Sequence, residues 1–148
     1  MICRATLEQL DDLGTLFDAY RVFYKQESDL IRSKAFILDR LQNKESIVFM
    51  AFEEDKAVGF TQLYPKYSSA RAVKNWILND LYVHPEYRKT GYGEQLIEAA
   101  MSFAKSEGAV FVQLETQVDN STAQSLYQKL GFQLQEPDTE FLLYKRLT

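Results

Sequence analysis

The spacing of apolar residues predicts two helices and a hairpin in the first half of the chain. Apolar positions recur at helical spacing from Leu10 to Tyr24 and again from Ser33 to Gln42. Ser46 to Phe52 and Ala57 to Tyr64 are rich in β-branched and aromatic residues, and a polar turn at 53–56 separates them. Two such runs around a short polar turn are typical of a β-hairpin.

The second half of the chain alternates strands and helices. Pro65 to Lys74 is polar and is expected to form a loop, whereas the apolar run Trp76 to Val83 predicts a strand. A long amphipathic helix follows and is expected to end near Glu107, because Gly108 is a favourable helix stop. Val110 to Thr116 then predicts a further strand.

The last part of the chain predicts one more helix and two closing strands. Asp119 to Ser121 opens the helix, and Phe132 to Leu134 and Glu140 to Leu147 have strand-like composition. Ile2 to Arg4 is a short opening strand. The order β-α-α-β-β-β-α-β-α-β-β predicts an α/β fold in one domain spanning residues 1–148, with helices on both faces of a mixed sheet.

Composition narrows the class of protein. Apolar residues at 46% and aromatic residues at 14% are values of a globular domain. A single cysteine excludes an internal disulfide, and no membrane-span or secretory-signal pattern is seen, so we expect a cytoplasmic protein with no membrane partner. The net charge of −4 argues against nucleic acid as a partner.

The segment from Arg88 to Gly93 carries the clearest chemistry. Its two glycines lie between a strand and a helix, where free backbone N–H groups and the helix dipole stabilise an anion. Arg88 and Lys89 add positive charge, so the segment predicts a pyrophosphate-binding turn. A dinucleotide fingerprint would need a small residue where Leu96 stands, and the P-loop pattern is absent.

Two motifs resemble the GNAT superfamily of N-acetyltransferases. The first is Arg-x-x-Gly-x-Gly at 88–93, directly after the strand and connector at 81–87, and the second is Asn-x-x-Ala-x-x-Leu-Tyr-x-x-x-Gly-Phe at 120–132. The resemblance implies a central, mostly antiparallel sheet that binds acetyl-CoA. More narrowly, the strand at 78–83 looks like that of diamine acetyltransferases and of yeast enzymes acting on polyamines, histones and D-amino acids.

The resemblance also implies which residues contact coenzyme A. Two parallel strands splay apart, and the pantetheine arm pairs with the main chain of Leu81 and Val83, with Tyr82 between them. The implied diphosphate contacts are Arg88, Lys89, Thr90, Gly91, Tyr92 and Gly93. Asn120 is either a helix N-cap or a contact to the cofactor arm, or both. Lys129 is a partner for the ribose phosphate or an ordinary solvated lysine.

Asp80 is the candidate base. Asn79 stands where many relatives carry glutamate, so we expect Asp80 to bind the amine or to act as a base through water; the alternative is a structural hydrogen bond. Because successive strand residues point to opposite faces, only one of Asn79 and Asp80 should face the substrate. Asn79 would then line the acceptor pocket, as would Tyr24 among the N-terminal aromatic residues.

Tyr127 is the candidate acid, which the family places near the thioester sulfur. Its phenol stays protonated at neutral pH and donates to the departing thiolate; the alternative is an ordinary half-buried tyrosine. With one histidine, His84, and a distant Cys3, no metal site is expected.

The expected function is acetyl-CoA-dependent transfer to a primary amine of a small molecule, such as a polyamine or amino acid, without an acyl-enzyme. Alternatives are a protein lysine or N-terminal acetyltransferase and a noncatalytic acyl-CoA-binding module, since fold does not fix function. Similar proteins are often dimers, so a homodimer is a possible assembly.

Overall fold

The structure, a computed structural model, describes residues 1–148. It comprises two compact units, Met1–Glu115 and Thr116–Thr148. The first unit is built on a five-stranded sheet of order β1-β2-β3-β4-β5. Its strands are β1 (Ile2–Arg4), β2 (Ile47–Glu53), β3 (Lys56–Ser68), β4 (Val73–Val83) and β5 (Val112–Gln113).

The sheet is mostly antiparallel, as the sequence predicted. β1 to β4 pair antiparallel in order, and only β4 and β5 run parallel. The helices of this unit are α1 (Leu10–Phe23), α2 (Leu30–Gln42) and α3 (Tyr92–Ser106), with single 3-10 turns at Leu7–Gln9 and Pro85–Tyr87. The helices cover both faces of the sheet, α1 and α2 on one and α3 on the other.

The face beneath α1 and α2 holds the larger core. Leu13, Ile37, Met50 and Phe60 are fully buried there, contributed by two helices and two strands. Removing a side chain as large as Phe60 from such a core costs about 3–5 kcal/mol. This core fixes α1 against the sheet and thereby positions the end of that helix.

A bulge at Asn79 changes which residues of β4 face each helix layer. Before the bulge, Trp76 faces α3, where its ring lies 5.2 Å from that of Phe103. After it, Tyr82 belongs to the core beneath α1 and α2. In a regular strand both side chains would lie on the same face, because they are six positions apart; the bulge places them on opposite faces.

Three predicted boundaries in the first unit were wrong. α2 begins at Leu30 rather than at Ser33, because the side chain of Asp29 caps it by accepting from the Arg32 N–H. Most of the polar stretch 65–74 is not a loop, because β3 continues to Ser68 and β4 begins at Val73. Hydrogen bonding between the two strands keeps these polar residues in the sheet. The predicted strand at 110–116 pairs only at Val112–Gln113.

The second unit contains α4 (Ser121–Lys129) and no strand. The predicted closing strands at 132–134 and 140–147 are therefore absent. Strand-like composition forms a strand only where a neighbour completes the hydrogen-bond ladder, and these residues have none. Their apolar side chains are largely exposed, as Phe141 at 75% and Leu147 at 97% illustrate.

Candidate active site

The bulge in β4 brings two polar side chains together. Gln62 pairs with Asp80 and Leu63 with Leu78, so Asn79 is an additional residue between two successive pairs. Nδ2 of Asn79 donates a hydrogen bond to Oδ1 of Asp80 over 2.8 Å. The prediction that these side chains point to opposite faces was wrong, because strand alternation does not hold across a bulge.

Asp80 lies at the centre of a buried polar network. The residue is only 3% exposed. Its Oδ2 accepts a hydrogen bond from Nε2 of Gln62. Oε1 of Gln62 accepts in turn from the Ser46 hydroxyl at 2.7 Å. The Thr61 hydroxyl donates to the backbone carbonyl of Asp80 at 2.8 Å, which fixes the bulge itself.

No lysine or arginine forms an ion pair with the Asp80 carboxyl. Burial raises its pKa above the ordinary aspartate value, and the hydrogen bonds from Asn79, Gln62 and Tyr20 offset that rise only in part. A buried carboxylate without a cationic partner is energetically costly and takes up a proton or a cation readily.

Aromatic side chains surround this carboxyl. The Tyr20 ring lies 5.8 Å from Phe60 and 4.9 Å from Tyr24, and its hydroxyl interacts with the Asp80 carboxyl. Burial, followed by the Asp80 charge, raises the pKa of Tyr64 to about 12. Tyr24 is itself 40% exposed, at the end of α1. The predicted residues Asn79, Asp80 and Tyr24 thus lie in one aromatic and acidic region.

The edge of β4 beyond β5 offers unpaired main-chain groups. The two strands pair only through Trp76 and Ile77, and β4 continues to Val83 without a partner on that side. His84 N–H donates to Val58 of β3, so the alternate residues Leu81 and Val83 direct their main-chain groups away from β3. Such an edge fits an extended ligand that carries amide groups.

The turn before α3 has the backbone of an anion site. Lys89 and Gly91 both have positive φ, 62° and 92°, which turns successive N–H groups towards one side. No side chain caps α3, so the first N–H groups of the helix remain without a side-chain acceptor. The Thr90 hydroxyl donates to the Tyr87 carbonyl and fixes the turn.

The charged and aromatic members of this turn have contacts within the protein. Nε of Arg88 donates to the Val83 carbonyl at 2.8 Å, and the guanidinium lies 5.5 Å from the Phe23 ring. Arg88 therefore connects the strand edge to α1 rather than projecting freely. Tyr92 packs beside the core under α3, and desolvation together with the Glu53 charge raises its pKa, while Gly93 lies in the first turn of α3.

The remaining candidates lie in the second unit. Oδ1 of Asn120 accepts from the Ala123 N–H at 3.1 Å, so Asn120 caps α4. The ring of Tyr127 lies 6.0 Å from Phe132 in an edge-on arrangement. Lys129 is in the last turn of α4, where a positive charge complements the helix dipole. His84 is a connector residue, as expected, and its Nδ1 accepts from the Glu86 N–H at 3.3 Å.

Sequence reasoning missed Gln62 and the contact of Tyr20 with the candidate carboxyl. Gln62 occupies a buried position in the middle of β3, and a polar residue in such a mainly apolar stretch was a usable signal. Tyr20 gave no separate signal, because its spacing on α1 is also that of a core residue. No group of three or more His, Cys, Asp or Glu side chains is arranged to hold a metal ion. None of the helices combines the length and apolarity needed to cross a bilayer.

A β4 edge that pairs with β5 at only two residues, an uncapped helix after a glycine turn and a bulged strand agree with the fold that the motifs implied. The sequence model of the acetyltransferase (GNAT) family matches residues 10–132 of the chain. The chain therefore belongs to the GNAT family and is an N-acetyltransferase of that family, as its motifs predicted.

Individual relatives support the same assignment. The chain is 43% identical over 132 residues to the uncharacterized N-acetyltransferase YhfO of Bacillus subtilis, covering 89% of this chain and 87% of that protein. A crystal structure of a probable acetyltransferase has 39% identity and a TM-score of 0.88, covering 100% of this chain and 97% of that one. The spermidine N(1)-acetyltransferase of Thermoplasma acidophilum is 26% identical over 155 residues, covering 93% and 92% of the two chains.

Proposed function

We propose that this protein transfers an acetyl group from acetyl-CoA directly to a primary amine of a small molecule. The observation that carries the proposal is the buried, raised-pKa carboxyl of Asp80, which lies on the same strand as the unpaired main-chain edge. A carboxyl in that state is suited to a cationic or proton-losing ligand. The unpaired edge is suited to the acyl donor.

The residues present fit coenzyme A. The uncapped N–H groups of α3 and the positive-φ residues Lys89 and Gly91 are suited to a diphosphate. The outward main-chain groups of Leu81 and the N–H of Val83 are suited to the amides of the pantetheine arm, whereas the Val83 carbonyl already accepts from Arg88. Bound acetyl-CoA supplies the acetyl group as an activated thioester.

The acceptor requires removal of a proton. An alkylammonium ion has a pKa near that of lysine, so generating the neutral amine at pH 7 costs about 4–5 kcal/mol. Asp80 attracts the ammonium form and accepts its proton through an intervening water or side chain, while Asn79 and Tyr24 line the acceptor pocket. In this proposal Asp80 provides the negative charge, and its neighbours determine the shape of the pocket.

Tyr127 completes the proposal as the proton donor to the departing thiolate. Its phenol is protonated at neutral pH, and a correctly placed acid of this kind contributes about a hundred- to ten-thousandfold to the rate. Arg88, Tyr82, Thr90, Tyr92, Gly93, Asn120 and Lys129 are proposed contacts or supports for the cofactor.

A polyamine or an amino acid is the proposed acceptor class. An aromatic surface with a single buried negative charge is suited to an ammonium group, through Coulomb attraction and cation–π contacts. A polyamine acceptor also agrees with the name of the Thermoplasma relative, a spermidine N(1)-acetyltransferase.

An acceptor screen tests the proposal. Purified protein with acetyl-CoA is assayed for thiol release with polyamines, amino acids and aminoglycosides, and the products are weighed by mass spectrometry. The expected result is amine-dependent release with a mass gain of one acetyl group on the amine. Binding of acetyl-CoA without release by any amine would contradict the proposal, and unstimulated hydrolysis is measured as the blank.

A further inference from the structure

The carboxyl of Asp80 is too enclosed to meet an acceptor amine by itself. The residue is 3% exposed, and its two carboxylate oxygens already accept from the side-chain amides of Asn79 and Gln62. These amides hold the carboxylate in place but cannot carry a proton, because an amide N–H neither ionises nor accepts at neutral pH. Proton exchange with Asp80 therefore needs a different neighbour.

Tyr20 is that neighbour. It lies in the second half of α1, and its ring is 5.8 Å from that of Phe60 on β3. Two residues further along β3, Gln62 pairs with Asp80 of β4. The Tyr20 side chain is only partly buried, in contrast to the carboxyl, and its hydroxyl interacts with the Asp80 carboxyl. One end of Tyr20 thus contacts the buried acid while the residue reaches the surface beside Tyr24.

We propose that Tyr20 is a further catalytic residue that passes the proton of the acceptor amine to Asp80. The Tyr20 oxygen accepts a proton from the amine nitrogen, and the original hydroxyl proton moves to a carboxylate oxygen of Asp80. The amine loses one proton, Asp80 becomes a carboxylic acid and the phenol is regenerated. The inference rests on the proposed acetyl transfer to an amine.

The pKa shifts of Tyr20 and Asp80 agree with a concerted transfer of the two protons. Burial and the Asp80 charge raise the pKa of Tyr20 far above its ordinary value, so the phenol does not ionise and must gain and lose its protons together. The raised pKa of Asp80 makes it the stronger acceptor. The other titratable groups facing Tyr20 are Tyr24 of α1 and Tyr64 of β3. The charges of Arg40 and Glu45 act on Tyr64.

The test uses Tyr20→Phe, which keeps the ring and its contacts but removes the hydroxyl. Thiol release is measured with ethylamine, 2-fluoroethylamine and 2,2,2-trifluoroethylamine, whose ammonium ions become progressively more acidic at nearly constant size. We expect kcat to fall about ten- to a hundredfold with ethylamine and less than about threefold with the trifluoro compound, which needs little help in losing its proton. Tyr67→Phe, at an exposed site on β3, is the matched control and should behave as wild type.

An equal loss with all three amines would overturn the role of Tyr20 but leave acetyl transfer intact. A wild-type protein that acetylates no amine would overturn the proposed function and this inference with it. A second readout needs no turnover: carbon-13 NMR of labelled aspartate in the whole protein. Tyr20→Phe should raise the pKa of Asp80, because the lost hydrogen bond lowers it. An unchanged Asp80 pKa would overturn the inference.

Discussion

Two buried carboxylates of this protein, Asp18 and Asp80, have similar exposure and opposite electrostatics. Asp18 is 8% exposed on α1 and Asp80 is 3% exposed on β4. The pKa of Asp18 is lowered, chiefly by the Ser28 hydroxyl, whereas burial raises the pKa of Asp80. Desolvation is the largest influence on the pKa of Asp80, whereas hydrogen bonds outweigh it at Asp18, so two residues of low exposure have pKa values shifted in opposite directions.

The difference lies in the partners. Asp18 accepts from the Ser28 hydroxyl at 2.6 Å, the Asp29 N–H at 2.9 Å and the Ser33 hydroxyl at 2.8 Å, and Arg21 lies 3.6 Å away. These contacts join the end of α1 to the start of α2. Asp80 has neutral donors and no cation nearby. The carboxylate that joins two helices is fully compensated, whereas Asp80 is left partly uncompensated, as its proposed role as a base requires.

The largest expected effect comes from exchanging each carboxyl for its amide. Asp80→Asn should lower kcat for amine acetylation by about a hundred- to a thousandfold, because the amide cannot accept the proton. Asp18→Asn is the matched control and should lower kcat by less than about threefold. Steady-state kinetics with the acceptor found in the screen measure both; equal losses in the two variants would remove the distinction.

Tyr127→Phe tests the proposed proton donor, in contrast to the proposed proton acceptor Asp80. We expect turnover to fall about ten- to a thousandfold with little change in the affinity for acetyl-CoA, because only the proton for the thiolate is lost. Turnover comes from product formation and affinity from calorimetry. Wild-type turnover in this variant would remove the acid role. Tyr67→Phe again provides the control.

Gly91→Val tests whether backbone geometry, rather than side-chain charge, binds the cofactor. The φ of 92° at Gly91 is unfavourable for valine, so the turn must rearrange and we expect affinity for coenzyme A to fall about ten- to a hundredfold. Gly108→Val introduces the same conflict at φ 81° beyond the other end of α3 and should leave affinity unchanged. Isothermal titration calorimetry on the three proteins decides; unchanged binding by Gly91→Val would exclude the cradle.

The smallest effect is on the pH dependence of stability, and its sign differs between the carboxyls. The pKa of Asp18 is depressed in the folded protein, so its contribution is present above the unfolded value of about 3.9 and is lost as the pH falls below it. The pKa of Asp80 is raised, so its contribution is present below about 3.9 and is lost as the pH rises through the folded pKa.

Urea unfolding of wild type, Asp18→Asn and Asp80→Asn at a series of pH values measures this contrast. The free energy of unfolding of wild type relative to Asp18→Asn should decrease on acidification, by about 1–3 kcal/mol in total. Relative to Asp80→Asn it should increase. Parallel curves for the two variants would show that the two sites are electrostatically alike.

The sequence predicted the parts of the fold whose signals are local. The hairpin turn, the glycine turn and the ends of α3 and α4 depend on neighbouring residues, and the structure confirms them. The bulge at Asn79 was not predictable by alternation, because it is a property of the β3–β4 pairing. The closing strands failed for a related reason: strand propensity carries no information about whether a partner strand is present.

The candidate site divides in the same way. The glycine turn was recognisable because its conformation needs Gly91, and Asp80 became a candidate because it and Asn79 form a polar pair in the strand that the family resemblance places at the site. The length of β3 beyond Tyr64 and the burial of Ser33 on α2 were missed, since each reflects a distant partner rather than local composition. The network around Asp80 depends on side chains from α1, β3 and β4 and on Ser46 just before β2, so it is visible only in three dimensions.

The pH dependence of kcat/KM for amine acetylation, in wild type and in Asp80→Asn, tests the central claim most directly. Over about pH 5 to 9 the wild-type rate should fall on the acid side, with a limb set by a carboxyl pKa above its ordinary range, since Asp80 must be ionised to accept the proton. The variant should lack that limb. The same acid limb in both proteins would contradict the account.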